Sequence, residues 1–420
     1  MMSQPQRAVH PATTPVDWRR DFPALGDTMN GQPLVFLDSA ASAQKPRAVI
    51  DATSNASAHG YANVHRGLYQ YSSELTARFE AVRAKVARFI GARSPDTIIF
   101  TGNTTAGINL VAQSWGRAHT QAGDTIVITA MEHHANIVPW QLLAGERGLT
   151  LSVWPITPQG TLDLSELPAL ITPQTKMLAL THISNVLGTI NDIKAIIAAA
   201  RAINPAIRIL VDGSQAVVHA PVDVIDLDAD FYVFTAHKLY GPTGLGVLYG
   251  RYDVLQSMPP FIGGGDMIDR VAFSGTTYRD APYRFEAGTP PILEVIALGA
   301  AIDYVTAIDW PAIMAHEAAL AGHLAATLAG IPGIKVFGPG YQTTRAGLFS
   351  FAADWGHASD IAMILDQQGV AVRSGHHCAM PLHDILGVPA TVRASLALYN
   401  NLADIDALGA ALRKARAMLS

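Results

Sequence analysis

Residues 231 to 234 (Phe-Tyr-Val-Phe) are apolar at four consecutive positions, and the run ends abruptly at Thr235, Ala236, His237 and Lys238, ahead of Gly241, Pro242, Gly244 and Gly246. A strand with no polar face must be covered on both sides, as it is inside a parallel sheet sandwiched by helices. The glycines and the proline force a turn straight after it, so Lys238 stands at a strand end. A lysine pressed towards an apolar interior is held partly neutral, and the neutral amine is the form that condenses with a carbonyl. Taken alone, a lysine in a Gly/Pro loop is more often a solvated surface residue. The rest of the chain has to decide between the two.

Strand and helix patterns alternate around this run. Residues 97–101, 124–129, 149–155, 176–182 and 208–211 read as strands. Leu75, Phe79, Val82, Val86 and Phe89 recur at three- and four-residue steps and predict an amphipathic helix stopped by Gly91. Such alternation predicts an α/β fold with a mostly parallel sheet. Residues 263–288 read as a long polar loop, followed by an apolar helix from Ile292 and then a smaller α+β unit. The expected organisation is a flexible tail over 1–16, a large cofactor-binding domain over 17–300 and a small C-terminal domain over 301–420 carrying Cys378. Residues 17–32 are expected to pack with the small domain.

With 420 residues and 49% hydrophobic content, the chain has ample core for two domains. A net charge of −5 with 15% charged residues argues against nucleic acid as a partner, because phosphates call for a basic surface. No apolar stretch reaches the length of a membrane span, so no membrane partner is expected. The single cysteine, Cys378, excludes an intrachain disulfide and a multi-cysteine zinc cluster, and it fits a reducing cytoplasmic compartment. Residues 1–16 lack the apolar core of a signal peptide.

Several constellations could carry chemistry. Asp212 ends an apolar strand at the edge where open α/β sheets bind ligands. It is either a helix N-cap or the partner of a cation such as a protonated ring nitrogen. Thr104 and Thr105 follow a strand and open a helix, which suits a simple cap or a phosphate. His133, in Glu132-His133-His134, could stack on an aromatic ring and pass protons. Neighbouring histidines point apart and no third ligand is obvious, so the metal reading is weaker. His65 and Arg66, in a loop of histidine, glycine and aromatic residues, bind an anion or simply face solvent. Cys378 follows Arg373, His376 and His377. Positive neighbours would make its thiol a nucleophile, whereas a lone cysteine is otherwise a small buried hydrophobe. Three consecutive residues cannot readily surround one tetrahedral metal, and no metal site is expected.

Jointly, the residues from Asp212 to Gln215, the pair His237-Lys238 with Leu-Tyr-Gly-Pro-Thr-Gly after it, and the run from Arg373 to Leu382 make the chain resemble the type II (SufS-like) cysteine desulfurases. These belong to the class V aminotransferase group, and the likeness covers nearly all of the chain. It implies the fold-type I architecture, with a seven-stranded sheet and pyridoxal 5'-phosphate as cofactor. By matched position, Lys238 would hold the cofactor covalently, Asp212 would pair with its ring nitrogen, Gln215 would bond the ring oxygen and His133 would stack on the ring. Thr104, Thr105, Thr235 and His237 would hold the phosphate, with Gly288 and Thr289 reaching it from the other subunit of a homodimer. Asn185, Arg373 and Arg393 would orient the substrate, and His65 and Arg66 would line the site entrance across the dimer interface.

The implied reaction converts L-cysteine to L-alanine, with Lys238 and His133 carrying protons and Cys378 receiving the sulfur as a persulfide. A SufE- or SufU-like acceptor protein would then take that sulfur towards iron–sulfur cluster assembly. L-selenocysteine is a further substrate of the same site, and a selenocysteine lyase or another pyridoxal-phosphate enzyme is the alternative reading. A catalytically silent scaffold of the sulfur pathway is the reading from another class. Asn103, Ala106 and Thr235-Ala236 depart from the residues commonest in the family at these positions.

Overall fold

The computed structural model describes residues 17–341 and 345–420, so the expected 1–16 tail lies outside the described residues. At its centre is a seven-stranded sheet built from β1 (Ile98–Thr101), β2 (Thr125–Thr129), β3 (Thr150–Trp154), β4 (Thr175–Thr181), β5 (Arg208–Asp212), β6 (Phe231–Thr235) and β7 (Gly246–Gly250). Their spatial order is β1-β7-β6-β5-β4-β2-β3. Only β7 runs against its neighbours, and the other pairings are parallel. Successive strand residues enter opposite apolar layers: Ile209, Val211, Tyr232 and Phe234 on one face, Leu210, Phe231 and Val233 on the other. All five residues of β6 are buried, which is why the sequence shows no polar face there.

Helices supply both layers. Gln70–Phe89 brings Leu75, Phe79, Val82 and Val86, and Ile193–Ile203 brings Ile193, Ile196 and Ile197, to the first. Val138–Arg147 brings Trp140 and Leu143 to the second. The stretch read as a long loop differs from that expectation, since Ile268–Ala272 (β8) and Gly275–Tyr278 (β9) pair as an antiparallel hairpin. Every hairpin residue but Ile268 is exposed, so no buried face imposed a period-two pattern on the sequence.

Helix Ile292–Thr306 runs unbroken through residue 300 and packs on the helices Arg47–Ala58 and Gln70–Phe89. Beyond it, an antiparallel sheet holds β10 (Ile334–Phe337), β11 (Leu348–Ala353), β12 (Arg373–Gly375) and β13 (Thr391–Ser395), in the order β10-β11-β13-β12. It has its own core, filled by Leu320, Leu324 and Leu328 of helix Trp310–Ala329 and by Ile405, Leu408 and Leu412 of helix Leu402–Leu419. The segment after residue 16 is tied to this unit by an Arg19–Asp404 ion pair at 3.1 Å and by Asn30, whose amide donates to Asp366.

Candidate active site

Parallel strands share a direction, so their C-terminal ends deliver side chains to one edge of the sheet. From β1 come Thr104 and Thr105, from β2 His133, and from β4 Asn185. Asp212 and Gln215 arrive from β5, and Thr235, His237 and Lys238 from β6. The antiparallel sheet closes the same cavity with Arg373 and Arg393, and the loop after β12 adds Cys378. Residues spread over 290 positions of sequence thus meet around one space.

Lys238 lies in a single 3-10 turn directly after β6. Burial holds its amine at about 8, below lysine's ordinary 10.5, with Asp212 drawing it up and Arg393 and Arg373 pushing it further down. Asp212 is 6% exposed, and its Oδ1 accepts the Ser214 N–H at 2.9 Å. Oδ2 has no bond among the described residues. Gln215 is braced by its Nε2, which donates to the Ala40 carbonyl at 2.9 Å. His237 Nδ1 is buried without a partner among the described residues, and burial followed by the Lys238 charge lowers that ring to about 4. Asn103 caps the helix Thr104–Leu110 by accepting the Ala106 N–H, so the first-turn N–H groups of Thr104 and Thr105 have no carbonyl of their own helix behind them. The Thr104 hydroxyl is bonded to Ser214 Oγ at 2.8 Å. Gly246 is required beside this turn, because a Cβ there would lie 2.4 Å from the Asn103 carbonyl carbon. A ligand with an aldehyde, a protonated ring nitrogen and a phosphate matches the free amine, the open carboxylate oxygen and the donors grouped here.

His133 and His134 hang from a turn that Glu132 fastens. Glu132 accepts the Thr181 N–H at 2.9 Å and the Asn136 amide at 2.7 Å, and burial drives its carboxyl up to about 8 against these donors. His133 Nδ1 accepts the Ala135 N–H at 3.0 Å, which assigns the ring proton to Nε2. Burial, then the Lys238 charge, lowers this ring to about 4, so it is neutral near pH 7.

Arg373 and Arg393 are register partners on β12 and β13, a like-charge pairing that costs stability unless an anion sits between them. Arg393 is 2% exposed. Its Nη1 donates to the Asn185 carbonyl and its Nη2 to Asp38 Oδ1, both at 3.0 Å, while Nε is buried without a partner among the described residues. Burial raises the Asp38 carboxyl, and Arg393 opposes that rise. Among the described residues Arg373 makes no ion pair.

Cys378 and His377 both adopt left-handed backbone, φ 57° and 50°, a conformation that costs on the order of 1–3 kcal/mol per non-glycine residue. Each carbonyl is held from outside the loop. The Asn185 amide donates to the His377 carbonyl and the His134 N–H to the Cys378 carbonyl, both at 2.7 Å. The expectation that the adjacent histidines lend positive charge to the thiol is corrected for His377. Burial, followed by Arg393, pushes that ring down to about 2, and its Nε2 lies 2.9 Å from Thr391 Oγ1.

Four expected site residues lie off this cavity. His65 bonds Glu80 at 2.9 Å and Arg66 pairs with Asp266. Gly288 and Thr289 line a separate groove with Phe261 and Ile262, and His65 and Gly288 share a small cleft. Sequence reading assigned no role to Asp38, Glu132 or Ser214. The signal for Ser214 was its place beside Asp212, whereas Asp38 acts through Arg393, far away in sequence, and Glu132 joins its near neighbour Asn136 to the distant Thr181.

The family model described as aminotransferase class-V matches residues 35–408. A cysteine desulfurase of Serratia proteamaculans is 54% identical over 402 residues, covering 96% of this chain and 98% of that protein. Among solved structures, the cysteine desulfurase CsdA of Escherichia coli is 41% identical with a TM-score of 0.90, covering 97% of this chain and all of that one. An apo cysteine desulfurase of Thermococcus onnurineus is 36% identical with the same TM-score and coverage.

Proposed function

The chain belongs to the class-V aminotransferase family and is a pyridoxal-phosphate-dependent cysteine desulfurase, and from that premise we propose that Cys378 takes the sulfur of L-cysteine while Lys238 handles the Cα proton. The carrying observation is that the chain's only thiol shares one cavity with a partly buried lysine, an aspartate with an open oxygen and two adjacent arginines. Pyridoxal phosphate, when bound, supplies the sink for the electrons of the breaking Cα–H bond. Lys238 and Asp212 would hold it at aldehyde and ring nitrogen, His133 and Gln215 at the ring. Thr104, Thr105, Thr235 and His237 would hold the phosphate.

With its amine at about 8, Lys238 has enough neutral form near pH 7 to take the Cα proton and return it. His133, neutral with its proton on Nε2, carries protons at the ring face. Arg373 and the unpartnered Nε of Arg393 receive the substrate carboxylate, and Asn185 fixes Arg393 through its carbonyl. Cys378 Sγ attacks the substrate sulfur. The Cβ–S bond breaks as the S–S bond forms; one thiol hydrogen ends on the alanine methyl and the other on the persulfide.

The persulfide passes to a SufE- or SufU-like protein for iron–sulfur cluster assembly, a step favoured by the partial exposure of Cys378. L-selenocysteine, differing in one atom, meets the same groups. The enzyme works as a cytoplasmic homodimer in this reading. Gly288 and Thr289 sit away from their own chain's cavity, and the fully exposed Leu68 and Phe273 are apolar surface of the kind a second copy covers. The test follows alanine and sulfide release from L-cysteine by wild type and Cys378→Ala, with the cofactor's visible absorbance recorded in parallel. The variant is expected to keep the absorbance and lose turnover. Alanine release at the wild-type rate would remove Cys378 from the sulfur step.

A further inference from the structure

The helix Met380–Leu386 begins two residues after Cys378 and starts poorly by its own sequence. Its N-cap is Ala379, which has no side-chain acceptor, and no side-chain cap bond comes from that position. Its second residue is Pro381, which has no N–H to satisfy. Of its first-turn donors, the Met380 N–H is taken by a residue 246 positions away: it donates to His134 Nε2 at 2.9 Å. The same histidine gives its own backbone N–H to the Cys378 carbonyl at 2.7 Å. His134 therefore grips the chain immediately on both sides of the Cys378–Met380 link, across the boundary between the two sheets.

That grip opposes a tendency to relax. His377 and Cys378 are consecutive left-handed residues without glycine's freedom, and the strand after them does not begin until Thr391. We infer that the His134 side chain is a positioning residue for sulfur capture: by capping the helix that follows Cys378 it keeps the strained loop closed and its Sγ aimed into the Lys238 cavity. This rests on the reading of Cys378 as the sulfur acceptor. His133, its neighbour, faces that cavity, whereas His134 does not line it, so the two adjacent histidines divide cofactor contact from loop placement.

Cys378 is the only cysteine in the chain, so alkylation by iodoacetamide reports on this one loop without cofactor or turnover. In His134→Ala the apoprotein thiol is expected to alkylate about fivefold faster, the change in loop opening that loss of one helix cap gives. In the cofactor-loaded variant kcat for alanine release falls, while KM for L-cysteine and the visible absorbance of the bound cofactor stay at wild-type values. His134→Gln, whose Oε1 can accept the Met380 N–H, is expected to restore both the alkylation rate and kcat. Unchanged alkylation in His134→Ala, or equal impairment of the alanine and glutamine variants, would overturn the inference. A Cys378→Ala enzyme that still released alanine at the wild-type rate would instead defeat the acceptor reading, leaving the alkylation result to stand or fall on its own.

Discussion

The depressed Lys238 amine gives a quantitative test of how the pocket is built. Burial brings that amine from 10.5 to about 8. At pH 7 roughly one lysine in ten is then neutral, against about one in three thousand for an ordinary lysine, a gain of about 300-fold in nucleophile. Uptake of pyridoxal phosphate by the apoprotein, followed by visible absorbance in stopped flow, should therefore rise about fivefold from pH 7 to 8, about twofold more above that, and level off by about pH 9. Working from pH 7 to 10 stays above the second phosphate pKa, about 6. Asp212→Asn should bring the plateau to lower pH, because the carboxylate favours the protonated amine. Arg393→Gln should move it higher, because the guanidinium disfavours it. Stability must obey the same linkage. Below pH 8 the folded apoprotein carries a charged, partly buried lysine; between pH 8 and 10.5 the folded form releases the proton before the unfolded form does, so stability rises with pH. Lys238→Met should accordingly stabilise the apoprotein by up to about 3 kcal/mol at pH 7, a gain that fades by pH 10.5. A rate that kept rising past pH 10, or a plateau moved upward by Asp212→Asn, would refute burial and these two charges as the cause.

Other consequences follow from buried groups and the few partners that hold them. Asp38→Ala removes the only ion-pair partner of Arg393 among the described residues, and a destabilisation of about 3 kcal/mol with a raised KM for L-cysteine should be seen in denaturant melts and steady-state kinetics. Arg83, 1% exposed, is clamped by Glu286 at 2.6 and 2.9 Å and lies over the Phe100 ring. Glu80 also pairs with Arg83 at 2.9 Å, so Glu286→Ala should cost about 2–3 kcal/mol in melting experiments, below the loss of a sole partner, and Glu286→Gln, which keeps an acceptor, less. Gly246→Ala forces a methyl against the Asn103 backbone; the sheet should persist by circular dichroism while apoprotein affinity for pyridoxal phosphate falls at least tenfold in equilibrium titration.

Much of this protein is decided over short stretches of chain. The two-sided apolar run of Phe231–Thr235, the turn after it and the acid closing Arg208–Asp212 are local patterns, and each marks the end of a parallel strand. Because all such ends point one way, naming Lys238, Asp212, Thr105 and His133 from sequence was enough to place them on one edge. The hairpin Ile268–Tyr278 escaped that logic, since an exposed ribbon needs no alternation.

What the sequence could not hold is distance across the fold. Asp38 and Arg393 stand 355 residues apart, and His134 meets Met380 across 246. Ala379 and Pro381 announce a helix start with no cap of its own, yet nothing local says which histidine will provide one. Chemistry resides in residue types and short spacings, so it is written along the chain. Charge compensation, backbone strain and the closing of the cysteine loop depend on which surfaces meet when two sheets dock, and only the tertiary structure decides that.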